Sequence, residues 1–310
     1  MAFALVFPGQ GSQSVGMGRA LYNAYPASRA VFDEVDEALG EALSRTIFEG
    51  PEDRLTLTAN AQPALMAVSL AAIRALEAEG FDVAQAKFVA GHSLGEYSAL
   101  AAAGSLSIGD TARLLRIRGQ AMQAAVPAGE GAMAAIIGLD EAAVEALCAD
   151  AAEGEVCQTA NDNGGGQIVI SGHASAVGRA IALAAERGAK RAIPLPVSAP
   201  FHCRLMQPAA ERMAEALAEA DVKAPRVPLV ANVLARPIEE PAEIRRRLVE
   251  QVTGRVRWRE SVEYLAAAGV DTLVEVGAGK VLAGLAKRID RTLRSQSVGG
   301  PDDFAAALAL

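Results

Sequence analysis

The sequence predicts an α/β protein in which a parallel sheet with flanking helices is interrupted by a smaller α+β module. Three observations lead to this prediction. Short apolar runs alternate with long Ala/Leu-rich segments at both ends of the chain. Between them, the predicted elements follow the order β-α-β-β-α-β, which is typical of a ferredoxin-like module. With 310 residues, of which 51% are hydrophobic, the chain is long enough to bury cores of this size.

The elements before the module are predicted from apolar runs and from the residues that end them. Phe3–Phe7 is apolar throughout and stops at a Pro-Gly pair, which indicates a buried strand. A helix is predicted over residues 62–79, because Pro63 suits a first turn and Gly80 follows the end. Further elements are a strand over 88–90, a helix ending near Ala103, and a helix over 111–125 with Asp110 as its cap.

The module is predicted over residues 126–198, and the larger domain over residues 1–125 and 199–310. In the module we expect strands over 132–138, 156–160, 167–171 and 190–195, and helices over 141–152 and 175–187. After it, the first pattern resumes with helices over 205–220, 243–251 and 261–268 and strands over 227–232 and 272–276. The sheet of the larger domain is therefore built from both ends of the chain.

Composition excludes several classes of partner and site. Lys and Arg number 29 against 37 Asp and Glu, and the net charge of -8 argues against nucleic acid or an anionic membrane surface. The three cysteines have no CxxC spacing, so we predict neither a disulfide framework nor a zinc site. No apolar run approaches the ~20 residues of a membrane span, and the first residues lack the basic stretch of a signal peptide. We expect a cytoplasmic protein.

The segment GHSLG at residues 91–95 is a G-x-S-x-G motif between a predicted strand and a predicted helix. The two glycines permit a tight turn that presents the Ser93 hydroxyl at the carboxyl edge of the sheet. The helix that follows offers N–H groups and a positive dipole end to an oxyanion. An ordinary turn is the alternative, but the flanking elements favour Ser93 as a nucleophile.

A nucleophilic serine needs a base, and the chain contains three histidines. His92 precedes the serine, so its side chain is expected to point away from it. His173 is expected in a solvated loop of the module. His202 follows Pro200, which restricts the local backbone, at the point where the chain re-enters the larger domain. His202 is therefore the predicted base.

Two glycine-rich loops resemble nucleotide-binding motifs but lack residues that those motifs require. Residues 9–13 (GQGSQ) follow the first strand, but Ser14 occupies the third glycine position of the dinucleotide fingerprint. Residues 277–280 (GAGK) lack the leading glycine and the final Ser or Thr of a phosphate loop. Both loops still bring backbone N–H groups to the carboxyl edge of the sheet. A donor from the turn at residues 9–11, paired with the N–H of Leu94, would form an oxyanion hole.

Three arginines lie on the helix predicted over 111–125. Arg113 and Arg116 are expected to be solvated charges. Arg118 follows them by five and two residues and therefore lies on a different face. From the residues alone, a solvated charge is the more common outcome for Arg118 as well.

Together these segments resemble a known family, the malonyl-CoA:acyl-carrier-protein transacylases of bacterial fatty-acid synthesis. The resemblance extends over the whole chain and follows the family's order and spacing. It rests on FPGQGSQ at 7–13, AQPAL at 61–65, GHSLGEYSAL at 91–100, RIRGQAMQ at 116–123, QIVISG at 167–172, SAPFHCRLM at 198–206, VRW at 256–258 and VLAGLAKR at 281–288.

The resemblance implies a fold and a set of site residues. The fold is a hydrolase-like α/β core with an inserted ferredoxin-like subdomain. Ser93 matches the acyl-accepting nucleophile, and His202 matches a base that a backbone carbonyl, here that of Gln251, orients. Gln10 and Leu94 match the residues whose N–H groups form the oxyanion hole, and Arg118 matches the arginine that pairs with the malonyl carboxylate.

The implied activity is transfer of the malonyl group from malonyl-CoA to the phosphopantetheine thiol of acyl carrier protein through a seryl ester. No metal or cofactor is expected, because the CoA thioester is itself a substrate, and a monomer is expected. Two alternatives stay open. A serine hydrolase would release malonate to water, and a non-catalytic scaffold would bind the thioester without forming an adduct.

Overall fold

The computed structural model describes residues 2–197 and 199–310, so Met1 and Ser198 lie outside the described residues. Ser198 ends the predicted module and begins the SAPFHCRLM segment. The strands are β1 (Phe3–Phe7), β2 (Phe88–Gly91), β3 (Gly131–Ile137), β4 (Cys157–Asp162), β5 (Gln167–His173), β6 (Arg191–Pro194), β7 (Leu229–Ala231), β8 (Arg236–Ile238), β9 (Thr272–Val276) and β10 (Arg294–Val298).

The α-helices of the described residues lie between and after these strands. They are α1 (Arg19–Ala24), α2 (Pro26–Leu39), α3 (Leu43–Glu49), α4 (Glu52–Thr56), α5 (Thr58–Ala78), α6 (Gly95–Ala102), α7 (Ile108–Ala124), α8 (Glu141–Ala152), α9 (Ala174–Glu186), α10 (Gln207–Glu219), α11 (Pro241–Thr253), α12 (Trp258–Ala267), α13 (Val281–Ile289) and α14 (Phe304–Ala307). None of them is both long enough and apolar enough to cross a membrane.

The larger sheet has six strands in the order β10-β9-β1-β2-β7-β8. The first five run parallel, and β8 pairs antiparallel with β7. Every residue of β1, at the centre, is buried, as its unbroken apolar sequence predicts. Because β1, β2 and β9 are parallel neighbours, the loops that follow them emerge at one edge of the sheet, where α/β proteins bind their ligands.

The smaller sheet is antiparallel, with the order β4-β5-β3-β6. The helices α8 and α9 contribute apolar side chains to the core of this sheet, which is separate from the two cores around the larger sheet. This strand order with two helices is that of a ferredoxin-like fold. The predicted fold class is confirmed. The sheet spans residues 131–194, inside the module predicted over 126–198, whose exact boundaries stay a prediction.

Three predicted helix starts are wrong, and one of them is that of α12, which was expected to begin at residue 261 and begins at Trp258. Helix α5 begins at Thr58, so Pro63 lies inside the helix and not in its first turn. The added turn packs against α7, where a Cβ at Gly119 would lie 2.6 Å from the Cα of Ala59, and this close contact outweighs the local proline signal. Helix α7 begins at Ile108, and Ser107 caps it by accepting the Asp110 N–H at 3.0 Å.

Candidate active site

Ser93 lies in the sharp turn between β2 and α6. Its backbone φ is +55°, in the left-handed region, which non-glycine residues seldom adopt. A Cβ at Gly91 would collide with the carbonyl of Gly95, and one at Gly95 would collide with the carbonyl of Phe7. The glycines therefore let the turn fold tightly against the end of β1, as the G-x-S-x-G motif predicts.

His202 lies next to the Ser93 hydroxyl. Its Nε2 is 2.8 Å from Ser93 Oγ, and its Nδ1 is 2.9 Å from the carbonyl oxygen of Gln251 and 3.1 Å from that of Gly254. Carbonyl oxygens only accept hydrogen bonds, so Nδ1 carries the proton and donates it to them. Nε2 is then left as an acceptor that faces the Ser93 hydroxyl.

Burial and the positive charge of Arg118 together lower the pKa of His202 to about 3, although the hydrogen bonds to the two carbonyl partners act in the opposite direction. The imidazole is therefore neutral at pH 7. A neutral imidazole whose unprotonated nitrogen faces a hydroxyl is in the correct form to accept a proton from it.

Arg118 lies on α7 and is 1% exposed. Its Nη1 donates to Gln62 Oε1 at 2.8 Å, and its Nη2 donates to Gln251 Oε1 at 2.8 Å and to Ser93 Oγ at 3.1 Å. Its Nε is buried without a partner in the described residues. A guanidinium that stays charged, with donors unused, therefore lies beside the Ser93 hydroxyl.

The other two arginines of α7 do not contact the site. Arg113 is exposed and pairs with Asp110. Arg116, expected to be a solvated charge, is partly buried: it donates to Asn60 Oδ1 at 2.6 Å and forms an ion pair with Glu41. The helical phase thus separates Arg118 from both, as predicted.

Gln10 and Leu94 lie at the two turns that meet beside Ser93. Phe7 and Gly91 are paired in neighbouring strands, and a Cβ at Gly9 would lie 2.7 Å from the carbonyl oxygen of His92. Neither the Gln10 N–H nor the Leu94 N–H donates a hydrogen bond within residues 2–197 and 199–310. Both donors are therefore available at the edge where the Ser93 hydroxyl emerges.

The side chains of Asn232, Gln251 and Glu96 support the turn; of these residues, the sequence pointed only to Gln251, and only through its backbone carbonyl. Asn232 accepts the Ser93 N–H through Oδ1 at 2.8 Å and donates to the Gly91 carbonyl through Nδ2 at 2.6 Å. Gln251 Nε2 donates to the Ser93 carbonyl at 2.9 Å and to Glu96 Oε2 at 2.6 Å. The backbone around Ser93 is thus held on both sides by buried side chains.

The remaining histidines do not contact Ser93. His92 Nε2 lies 2.9 Å from Asn163 Oδ1, and its ring packs against Trp258, so its side chain points away from Ser93 as expected. His173 was expected in a solvated loop, and this is wrong. It ends β5, is half-buried and accepts the Val156 N–H at 2.9 Å through Nδ1.

No cluster of three or more His, Cys, Asp or Glu side chains that could hold a metal ion occurs among the described residues. Cys148, Cys157 and Cys203 are free and buried. The groups that the structure brings together around Ser93 are a hydroxyl, an imidazole, a guanidinium and backbone N–H groups.

The chain belongs to the acyl transferase domain family, whose profile matches residues 4–305. It is 50% identical over 306 residues to the malonyl CoA-acyl carrier protein transacylase of Bacillus subtilis, covering 98% of this chain and 96% of that protein. It is 49% identical over 308 residues to the protein of the same name from Escherichia coli K12, covering 99% of each. The resemblance inferred from the motifs is confirmed.

Solved structures agree over the full chain. The acyl-carrier-protein-S-malonyltransferase of Bartonella henselae is 61% identical with a TM-score of 0.98, covering 100% of this chain and 99% of that one. A malonyl-transacylase solved in complex with its holo type II PKS acyl-carrier protein is 43% identical with a TM-score of 0.97, covering 100% and 99%.

Proposed function

We propose that this protein transfers the malonyl group from malonyl-CoA to the phosphopantetheine thiol of acyl carrier protein through an ester of Ser93. One observation carries the proposal: the Ser93 hydroxyl lies 2.8 Å from a neutral imidazole and 3.1 Å from a buried guanidinium. The first group supports nucleophilic attack, and the second supports recognition of an acyl group that ends in a carboxylate. The names of the relatives support the same activity.

In the first half-reaction, Ser93 Oγ attacks the thioester carbonyl carbon of malonyl-CoA while His202 Nε2 takes the hydroxyl proton. The N–H groups of Gln10 and Leu94 hold the oxyanion of the tetrahedral intermediate. The C–S bond then breaks, and the CoA sulfur receives the proton from His202. The carbonyls of Gln251 and Gly254 stabilise the imidazolium that forms between these steps.

The second half-reaction runs the same steps in reverse with a different thiol. His202 takes the proton of the phosphopantetheine thiol, and the sulfur attacks the ester carbonyl of malonyl-Ser93. When the C–O bond breaks, the proton passes to Ser93 Oγ. The free enzyme is regenerated. In each half-reaction, only the malonyl group and one proton change places between the thiol and Ser93.

Arg118 is proposed to bind the free carboxylate of the malonyl group. The planar fork of a guanidinium matches both oxygens of a carboxylate, and Arg118 Nε has no partner in the described residues. A carboxylate is costly to bury without such a pair. Arg118 would therefore distinguish malonyl from acetyl thioesters.

The proposed reaction requires no metal or bound cofactor, because the thioester substrate carries the activated acyl group. Three free buried cysteines and the charge of -8 support a cytoplasmic protein whose partners are malonyl-CoA and acyl carrier protein, with no nucleic-acid or membrane partner. We propose a monomer.

The experiment that tests the transfer follows the fate of the malonyl group. Malonyl-enzyme freed of CoA should pass its malonyl group to the thiol of holo acyl carrier protein faster than it releases malonate to water, as mass spectrometry of the carrier and assay of malonate will measure. Apo carrier protein, which lacks the thiol, is the control and should remain unmodified. Malonate as the main product with holo carrier present would identify a serine hydrolase and contradict the proposal.

A further inference from the structure

Glu96 is a buried carboxylate three residues after Ser93, and it is 1% exposed. Its two oxygens have different surroundings. Oε2 accepts hydrogen bonds from Gln251 Nε2 at 2.6 Å and from the Asn232 N–H at 3.3 Å. Oε1 is buried and has no partner in the described residues. A proton can therefore bind Oε1 without displacing any hydrogen bond, whereas the ionised form leaves this oxygen unsatisfied.

A single amide joins Glu96 to Arg118. Gln251 Oε1 accepts from Arg118 Nη2 at 2.8 Å, and Gln251 Nε2 donates to Glu96. This orientation follows from the chemistry of Arg118, because a guanidinium has only donors and must face the amide oxygen. Gln251 is fully buried, so the connection is shielded from solvent.

The other ionisable groups near Glu96 do not compete with Arg118 as a counter-charge. Tyr97, on the same helix, has its pKa raised by burial and stays neutral. The neighbouring strands β1, β2 and β7 carry no ionisable side chain, and on α5 Arg74 and Glu77 pair with each other. His202 and His92, beyond the turn, have pKa values lowered by burial and stay neutral at pH 7.

We propose that Glu96 is the internal counter-ion of Arg118 and takes up a proton when the malonyl carboxylate pairs with Arg118. The inference rests on the proposed function. In the free enzyme, the negative charge of buried Glu96 balances the positive charge of buried Arg118. A malonyl carboxylate at Arg118 brings a second negative charge. A proton from solvent then binds Glu96 Oε1 and removes the excess negative charge. No other bond is made or broken, and Arg118 keeps its charge.

The direction of the proton movement follows from the charges. Burial raises the pKa of Glu96 to about 7, while Gln251, Asn232 and the charge of Arg118 act against this increase. A malonyl carboxylate cancels the effect of Arg118 and raises the pKa further. A group whose pKa rises on binding takes up protons. Because the pKa of Glu96 lies near 7, its carboxylate is partly ionised at pH 7, and malonylation should take up a fraction of a proton per site.

Proton uptake can be measured in weakly buffered solution with a pH indicator while malonyl-CoA acylates the enzyme. At pH 7 the CoA thiol stays protonated, so acyl transfer alone neither releases nor consumes protons. Intact-mass measurement of the same sample gives the amount of adduct. For the wild type we expect measurable uptake below one proton per adduct at pH 7, and much less uptake at pH 5.5, where Glu96 is mostly protonated before malonyl-CoA binds.

Two variants assign the proton. Glu96→Gln keeps the shape and the hydrogen bonds of Oε2 and should form the adduct without proton uptake. Glu275→Gln is the matched control: this carboxylate is also buried, but it accepts from the N–H groups of Leu282 and Ala283 and should leave the uptake at the wild-type value.

The outcomes separate the inference from the proposed function. Two results would overturn the role of Glu96 and leave the transferase proposal intact: adduct formation without proton uptake in the wild type, or proton uptake in Glu96→Gln equal to that of the wild type. Absence of any adduct in the wild type would instead overturn the proposed function. If Glu96→Gln does not fold, the wild type alone still tests the proposal. Proton uptake by the wild type that does not decline between pH 7 and pH 5.5 contradicts it.

Discussion

Replacing Arg118 by alanine should lower kcat/KM for malonyl-CoA by about 10²–10³-fold and leave transfer from acetyl-CoA unchanged or faster. The reason is that a malonyl carboxylate would enter a buried site without its partner, which costs roughly 3–5 kcal/mol. Acetyl-CoA carries no such charge. The measurement is kcat/KM for both thioesters, and the change in their ratio reports the carboxylate interaction.

Two further variants make the Arg118 test specific. Arg118→Lys keeps the charge but loses the bidentate fork, so only part of the malonyl activity should return. Arg116→Ala removes a partly buried arginine of the same helix that pairs with Glu41 and Asn60, and it should not change the malonyl-to-acetyl ratio. A parallel loss of both activities in Arg118→Ala would mean that Arg118 is a structural residue.

Replacing His202 by alanine should slow acylation of Ser93 by about 10²–10⁴-fold, the usual cost of losing a general base. The imidazole is neutral, its Nδ1–H is bound by two carbonyl oxygens, and its Nε2 faces the Ser93 hydroxyl. No carboxylate contacts the His202 ring in the described residues, so the dyad needs no third ionisable group. The rate of adduct formation with malonyl-CoA measures the effect.

His173→Gln is the matched control for the base. His173 is the acceptor of the Val156 N–H, and glutamine retains an acceptor while removing the imidazole. We expect the acylation rate to stay close to that of the wild type. If this variant loses as much activity as His202→Ala with the fold intact, the assignment of the base is wrong.

The fold could be predicted where the sequence has strong, long patterns. The strand β1 is an unbroken apolar run, and the module has a regular alternation of strands and helices. The elements α1 to α4, α13, α14, β8 and β10 were not predicted. Most of them are short and offer little periodicity, but α2 has 14 residues, and its helical spacing of buried residues was missed. The start of α5 was missed because Ala59 packs on Gly119 across the chain.

The site could be predicted in part because its nucleophile lies in a local motif. Ser93 and His202 were identified from residues near them in the sequence, and the roles of Gln10, Leu94, Gln251 and Arg118 came from family resemblance. The side chains of Asn232, Gln251 and Glu96 act through hydrogen bonds that span up to 158 residues, which no local pattern reveals. One signal was present: Glu96 is a charged residue in α6, every residue of which is buried.

The most direct test of the account is the intact mass of the protein after incubation with malonyl-CoA. We predict the addition of one malonyl group, located on Ser93 by peptide mapping and absent from Ser93→Ala. Ser98→Ala is the control, because this serine is buried on the following helix without a hydrogen-bond partner in the described residues and should not affect the adduct. A malonyl adduct that persists in Ser93→Ala, or none in the wild type, would contradict the account.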